Sequence, residues 1–281
     1  MTVQTLPKAQ SGSTRGSFAG RTLGSAFVLR ITLIVAIFIA LEVYGRMWAD
    51  PAFMRPPTAI FDAFLTQILP EPKVIEALWM CVIEIAAAYA LSIVFGVLVG
   101  LIVGASRFSR GAFFPIVLLL YAIPQVSLLP LVILMFGLGP AAKIAFGFSH
   151  GVFPIIVNVV AGMRDVKELH LRAARSMGAS RADTVRHVIL PHMVPSLFTG
   201  LRLGMTMTLL GVILAELYVS QGGVGYYTRV FAESYSPAPL FALIGCLAVI
   251  AILFNELVRI AENSLTPGKR RTRALKSSVK E

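Results

Sequence analysis

The stretch Arg164–Pro191, RDVKELHLRAARSMGASRADTVRHVILP, is a basic amphipathic segment within an otherwise hydrophobic chain. Its pattern predicts two short helices on either side of Gly178, where the chain would turn in a left-handed or extended conformation. Asp165 is the predicted cap of the first helix, and Ser180, with an acidic residue three positions later, that of the second. Pro191 is predicted to end the second helix, because proline lacks an N–H and clashes with the preceding turn.

Apolar residues recur at steps of three and four along both predicted helices, with basic residues between them. The apolar positions are Val166, Leu169, Ala173, Met177, Ala182, Val185 and Ile189, and the basic ones are Arg164, Lys167, Arg172, Arg175, Arg181 and Arg186. One interpretation is a solvated basic loop that only orients the chain in a membrane. The periodicity and the capping signals favour a second interpretation, a docking element for a soluble partner.

The composition of the chain is that of a membrane protein. Of its 281 residues, 57% are hydrophobic and only 14% are charged, and the mean hydropathy is +0.80. A water-soluble protein of this size would need far more polar surface. The net charge is +11, and the basic residues lie between and after the apolar runs. This is the distribution that orients membrane proteins. The sequence therefore predicts a polytopic membrane protein and argues against a nucleic-acid partner.

Six apolar stretches are each long enough to cross a bilayer, which needs about 20 helical residues. They are Phe27–Trp48, Glu76–Gly104, Ala112–Phe136, Ala142–Met163, Pro195–Val219 and Pro239–Ile260. The third contains Pro124 and Pro130, so we expect that helix to be kinked or broken. The predicted fold is all-α, with a membrane domain at residues 27–265 between flexible basic tails at residues 1–26 and 266–281.

The charge asymmetry of the loops predicts that both termini are cytoplasmic. This orientation places inside the cell Arg107, Arg110, the basic residues of Arg164–Pro191, Lys269, Arg270, Arg271, Arg273, Lys276 and Lys280. The opposite side then holds only Arg46, Arg55, Lys73, Lys143 and Arg229. On that side, Pro56 and Pro57 should exclude helix and Thr58 should cap a short helix to about Ile68, although a plain loop also fits.

Polar groups inside the spans are costly in a bilayer and are therefore candidates for function. They are Glu84, Gln125, Ser127, Asn158, Arg202 and Glu216, of which the last five are the candidates for a translocation pathway. The alternative is that these groups satisfy partners within the helix bundle. Arg202 and Glu216 are fourteen residues apart, about 21 Å along one helix, so they cannot pair with each other within one chain.

Glycines spaced by four residues predict flat helix faces that pack closely on other helices or on a second protomer. The first face comprises Gly96, Gly100 and Gly104, and the second comprises Gly200 and Gly204. The chain lacks the motifs of a catalytic, metal or nucleotide site. Its four histidines have no metal spacing, Cys81 and Cys246 lie in apolar spans, and PGKRR at residues 267–271 lacks the glycine-rich lead of a phosphate loop.

The segment RAARSMGASRADTVRHVILP resembles the EAA loop of type I ABC importer permeases. The matching positions are Ala173, Ala174, Gly178, Val188, Leu190 and Pro191, whereas Arg172 stands where the family most often has glutamate. RPPTAIFDAF, PLVILMFGLGPAAKIAFGF, FPIIVN, GLRLG and AELYVSQGGVGYY are similar to the nitrate/sulfonate/taurine branch of these permeases.

This resemblance implies a MetI-like permease in the bacterial inner membrane that imports a small, anionic or organic-acid solute. It implies a homodimer, two cytoplasmic ATPase subunits that bind the ATP, and an extracytoplasmic solute-binding protein, with no cofactor on this chain. The residues that it assigns to ATPase coupling are Arg172, Ala173, Ala174, Gly178, Ala179, Leu190 and Pro191. An ion-coupled secondary carrier, which the buried carboxylates would serve, and an integral-membrane enzyme are the alternatives.

Overall fold

A computed structural model describes residues 18–219 and 222–265, and every regular element among them is helical. The predicted tail at residues 266–281 and residues 1–17 of the other predicted tail lie outside the described residues. The helices are α1 Phe18–Met47, α2 Pro57–Ala63, α3 Pro72–Gly104, α4 Arg107–Ala122, α5 Leu129–Phe136, α6 Pro140–Arg164, α7 Glu168–Ser176, α8 Arg181–Thr184, α9 Leu190–Val219, α10 Val224–Glu233 and α11 Pro237–Leu265.

Five of these segments are long and apolar enough to cross a membrane by themselves: Val28–Met47, Pro72–Gly104, Pro140–Arg164, Ala182–Tyr218 and Pro237–Ser264. The predicted third span is a sixth, broken one, in which α4 and the residues 125–136 meet at an angle of 81°. The chain becomes extended at Ile123 and Pro124 and then forms a 3₁₀ turn over Gln125–Leu128. The structure thus confirms a polytopic all-α protein, and the break at Pro124 confirms the effect expected of proline.

Helix α6 lies at the centre of the bundle. In its most apolar stretch 56% of the residues are buried, whereas none are buried in the corresponding stretch of α1. It packs on α3 through the first glycine face. A Cβ atom added to Gly96 would lie 2.8 Å from the Ile155 side chain, and one added to Gly100 would lie 2.7 Å from Val159. Both distances are too short for real carbon atoms, so only glycine allows the backbones of α3 and α6 to approach this closely.

The other side of α6 packs on α9 through the second glycine face. A Cβ atom on Gly200 would lie 2.6 Å from Asn158, and one on Gly204 would lie 2.7 Å from Ile155. Gly104 at the end of the first face lies similarly against Met163. The glycine repeats therefore join α3, α6 and α9 within one chain into a tight three-helix layer.

Two predicted helix ends, the start at Asp165 and the stop at Pro191, differ in the structure. Asp165 is the C-terminal cap of α6, and Lys167 precedes α7 without a side-chain cap, so the prediction for Asp165 was wrong. Pro191 does not end a helix either. A wide π-helical turn at Val185–Ile189 directly precedes α9, and this wider turn accommodates the proline ring, so that the chain stays helical through Pro191.

The segment before α3 contains the short helix that was expected, but its start differs. Pro57 is the first residue of α2, a position that tolerates proline because its N–H would be unpaired in any case. Thr58 is inside the helix, and its N–H donates to Glu42 Oε2 of α1 at 3.0 Å. The carboxylate of Glu42, rather than Thr58, therefore satisfies the start of α2.

Candidate functional site

The connection between α6 and α9 holds helix α7 on the bundle by two buried side chains and leaves its other face free. Val166, just before α7, is 8% exposed, and Ala174 within it is 3% exposed. Leu169 is 71% exposed and Met177 is 81% exposed, and Ala173 between them is exposed as well. These three residues are four positions apart, so they form one apolar stripe on the free face of α7.

A cluster of charges flanks this stripe. Glu168 Oε2 lies 3.0 Å from Nη2 of Arg107 on α4, which ties the start of α7 to the start of α4. Glu168 Oε1 also lies 3.4 Å from Arg175 Nη2 and 3.8 Å from Arg172 Nε. Arg172 and Arg175 remain largely exposed, so one carboxylate serves three guanidinium groups and the surface keeps a net positive charge.

The turn after α7 has the geometry that the sequence indicated. Gly178 has a φ of +76°, which is the left-handed conformation that side chains disfavour, and no atom of the described chain lies within 4 Å of the position of its missing Cβ. Ser180 Oγ accepts the N–H of Asp183 at 3.1 Å, so the predicted capping signal is confirmed. Ala179 is half-buried, whereas Leu190 and Pro191 are exposed at the start of α9.

Two pathway candidates lie at the break between α4 and α5. Gln125 is half-buried, and its Oε1 atom is shielded from solvent and has no hydrogen-bond donor among the residues that the structure describes. Ser127 is exposed, and its N–H donates to the carbonyl of Pro124 at 2.9 Å. The third candidate, Asn158, faces the α6–α9 contact, where its Nδ2 donates to the carbonyl of Pro154 at 2.8 Å.

Arg202 and Glu216, the last two candidates, have different partners, as their separation along α9 requires. Arg202 is about half exposed and forms an ion pair with Glu262 of α11. Glu216 is fully buried near the other end of α9, and its Oε2 atom accepts the N–H of Gly225 at 2.9 Å, at the first turn of α10.

Glu216 belongs to a buried triad with Glu84 of α3 and Lys143 of α6. Lys143 Nζ lies 2.7 Å from Glu84 Oε1 and 3.6 Å from Glu216 Oε1, and each of the three residues is at most 6% exposed. The prediction counted Lys143 among the basic residues of the outer side, at the start of a predicted span, and did not foresee that it is buried in the first turn of α6. Two carboxylates within spans required a cation, and that requirement was the signal that could have identified Lys143.

Comparison with protein families now identifies the class of the molecule. Residues 92–267 match the family described as the binding-protein-dependent transport system inner membrane component. The matched region runs from α3 to the end of the described chain and includes α7, Lys143 and Glu216. The chain belongs to this family.

Relatives within this class match this chain over most of its length and of their own. The taurine transport system permease protein TauC of Escherichia coli K12 is 31% identical over 240 residues, covering 84% of this chain and 87% of TauC. The putative aliphatic sulfonates transport permease protein SsuC of Bacillus subtilis is 26% identical, covering 92% and 94%. The nitrate import permease protein NrtB of Leptolyngbya laminosa is 24% identical, covering 91% and 94%.

The fold agrees with that of a solved transporter. An inward-facing structure of the MetNI methionine ABC transporter contains a chain with a TM-score of 0.55 and 18% identity, covering 67% of this chain and 95% of that one. The present chain is thus a multi-pass permease subunit of an ABC importer in the plasma membrane and not an enzyme. This outcome confirms the resemblance to the nitrate/sulfonate/taurine branch.

Proposed function

We propose that this permease works as a homodimer with two separate ATPase subunits, and that α7 with the turn at Gly178 is the surface that each ATPase grips. The observation that carries the proposal is the exposed stripe of Leu169, Ala173 and Met177. Exposed apolar patches rimmed by charge mark protein interaction sites. The stripe lies beside three exposed arginines, Arg107, Arg172 and Arg175, which share the carboxylate of Glu168.

The same surface is well placed to move the bundle. The connection links α6 directly to α9, and those two helices interlock at Gly200 and Gly204. A force on α7 therefore acts on the most closely packed pair of helices in the chain. We infer that ATP binding by the partner subunits, and not by this chain, supplies that force and changes the side to which the pathway opens.

The charge distribution supports a cytoplasmic position for this surface and for both termini. Arg107, Arg110 and the basic residues of the α6–α9 connection share one end of the bundle. Lys143, which would have counted against the asymmetry, is buried with two carboxylates and does not contribute to the charge of the opposite surface. Loops rich in arginine and lysine face the cytoplasm in membrane proteins.

The break between α4 and α5 is the part of the pathway that we propose meets the second protomer. Non-helical backbone at membrane depth is tolerated where protein covers it or where it lines a water-filled cavity. Pro124 and Ser127 are exposed in the single chain, and so are Leu134 and Met135 on α5. A second copy would cover the apolar face of α5, and Gln125 and Ser127 would then offer polar groups to a solute.

We propose a small anionic or organic-acid solute of the sulfonate, taurine or nitrate type. The support comes from the substrates in the names of the relatives, namely taurine, aliphatic sulfonates and nitrate. An extracytoplasmic binding protein would deliver the solute, in keeping with a binding-protein-dependent family. Identifying the solute that a co-purified binding protein retains would test this part of the proposal.

The coupling proposal is tested by Gly178→Val, with Gly111→Val as the matched control. At both positions, no atom of the part of the chain that the structure describes lies within 4 Å of the added Cβ, but of the two only Gly178 has a positive φ. A β-branched residue is strained in the left-handed region, so Gly178→Val must change the course of the turn. We expect the Gly178→Val complex to insert normally but to lose solute-stimulated ATPase activity and uptake. Equal activity of the two variants would refute the coupling role of this turn.

A further inference from the structure

The buried triad of Glu84, Lys143 and Glu216 has more negative than positive charge. Two ionised carboxylates and one ammonium would leave one negative charge in excess inside the membrane domain. An uncompensated buried charge is strongly unfavourable, because neither lipid nor the protein interior solvates it as water does. Some species must therefore balance the third group.

The surroundings of the triad contain no further cation that could do so among the described residues. Cys81 is buried on the same helix as Glu84, but a thiol carries no positive charge. His150 lies two turns along α6, and its Nδ1 atom is 3.0 Å from the carbonyl of Phe146. Arg229 on α10 is paired with Glu233 and donates to the carbonyl of Leu217 at 3.2 Å. The imbalance is therefore local to the three residues.

The geometry of the carboxyls indicates what balances them. Glu84 and Glu216 both approach the same ammonium group, with Glu84 Oε1 2.7 Å and Glu216 Oε1 3.6 Å from Lys143 Nζ. Glu84 Oε2 and Glu216 Oε1 are buried, and neither receives a hydrogen bond from a donor in the described part of the chain. Two ionised carboxylates at one ammonium group repel each other, whereas a carboxylic acid beside a carboxylate can donate a hydrogen bond to it.

We propose that Glu84 and Glu216 hold one proton between them, so that the triad with Lys143 is electrically neutral. The proton satisfies the unpaired oxygens, Lys143 balances the remaining charge, and Glu216 keeps the hydrogen bond from the N–H of Gly225. The triad then joins α3, α6, α9 and the start of α10 without a net charge. It is a proton-binding site within the transporter, and it does not depend on the proposed coupling surface or solute.

Infrared spectroscopy of the full permease complex in lipid tests the proposal directly, because a protonated carboxyl has a C=O stretching band that carboxylates lack. We expect this band in the wild-type complex at neutral pH, and we expect a shift of the band in D₂O. Glu84→Gln and Glu216→Gln should each remove the same band completely, because the remaining carboxylate then pairs alone with Lys143. Glu262→Gln, at a carboxylate that faces Arg202, is the matched control and should leave the band intact.

Two results would overturn the proposal. One is the absence of a protonated-carboxyl band in the wild-type complex, which requires no variant to fold. If that absence came with a thermal stability that rose with added Na⁺ or K⁺, a bound cation rather than a proton would balance the triad. The other is a band that only one of the two single variants removes, since a shared proton requires both carboxyls.

Discussion

Lys143→Met is the change that tests most directly what the buried triad does for stability. Methionine has a similar length and an apolar tip, so the substitution removes the ammonium while largely keeping the volume. It leaves Glu84 and Glu216 buried without the cation that lies 2.7 Å from one and 3.6 Å from the other. Breaking a buried ion pair by removing one partner costs about 3–5 kcal/mol, because it leaves an uncompensated charge.

That cost should appear as a large loss of thermal stability. At about 2–4 °C per kcal/mol, the midpoint of unfolding would fall by roughly 6–20 °C. The assay is thermal unfolding of the purified permease in lipid nanodiscs. Lys73→Met is the matched control, because Lys73 is exposed at the start of α3 and its replacement should change the free energy of unfolding by no more than about 0.5 kcal/mol.

A compensating variant separates the charge effect from a simple packing defect. In the triple variant Lys143→Met, Glu84→Gln, Glu216→Gln, all three groups are neutral, and the two amides can still bond to each other. Because replacing a whole buried ionic group is often close to neutral, the triple variant should regain most of the lost stability. Equal stability of Lys143→Met and Lys73→Met, or a triple variant less stable than Lys143→Met alone, would refute the reasoning.

Three further changes probe other parts of the chain. Gly204→Leu should destabilise the bundle by about 1–3 kcal/mol through overpacking against Ile155. Gly111→Leu places its side chain in open space and should not destabilise it, so equal unfolding midpoints of the two variants would contradict this prediction. Glu42→Ala removes the acceptor of the Thr58 N–H and should speed hydrogen exchange in α2, with unchanged exchange as the contrary result. Arg172→Glu should weaken ATPase binding in a pull-down titration more than Arg110→Glu, and assembly insensitive to Arg172→Glu would exclude this contact.

The features that could be predicted from the sequence are those that a local pattern determines. An apolar run of some 20 residues must be helical in a bilayer, because only a helix satisfies its own backbone groups there. The turn after α7 is local in the same way. Ser180 and Asp183 form the capping hydrogen bond, and Gly178 allows the positive φ. Proline predicted the break at Pro124 because no compensating wide turn precedes it there, since α4 is α-helical up to Ala122.

The features that the sequence could not provide depend on contacts between distant segments. Lys143 is three residues from the start of α6, where hydropathy cannot separate a loop from an enclosed first turn. Its burial follows from Glu84 and Glu216, which reach it from two other helices. At Pro191 the sequence predicted a helix end that the structure does not have. The π-helical turn before this proline has no signature in the residue types, and it allows the helix to continue.

The triad and the proposed coupling surface lie at opposite ends of the same pair of helices. Lys143 and Arg164 are separated by about 32 Å along α6, at 1.5 Å per residue. Between them, Gly200 and Gly204 let α6 and α9 touch closely, and close-packed interfaces transmit displacement rather than absorb it. Because the triad fastens the far end of the pair to α3 and α10, a push on α7 should move these four helices as one body. If α7 binds the ATPase as proposed, its displacement would therefore reach the far end of the membrane domain through these packed helices.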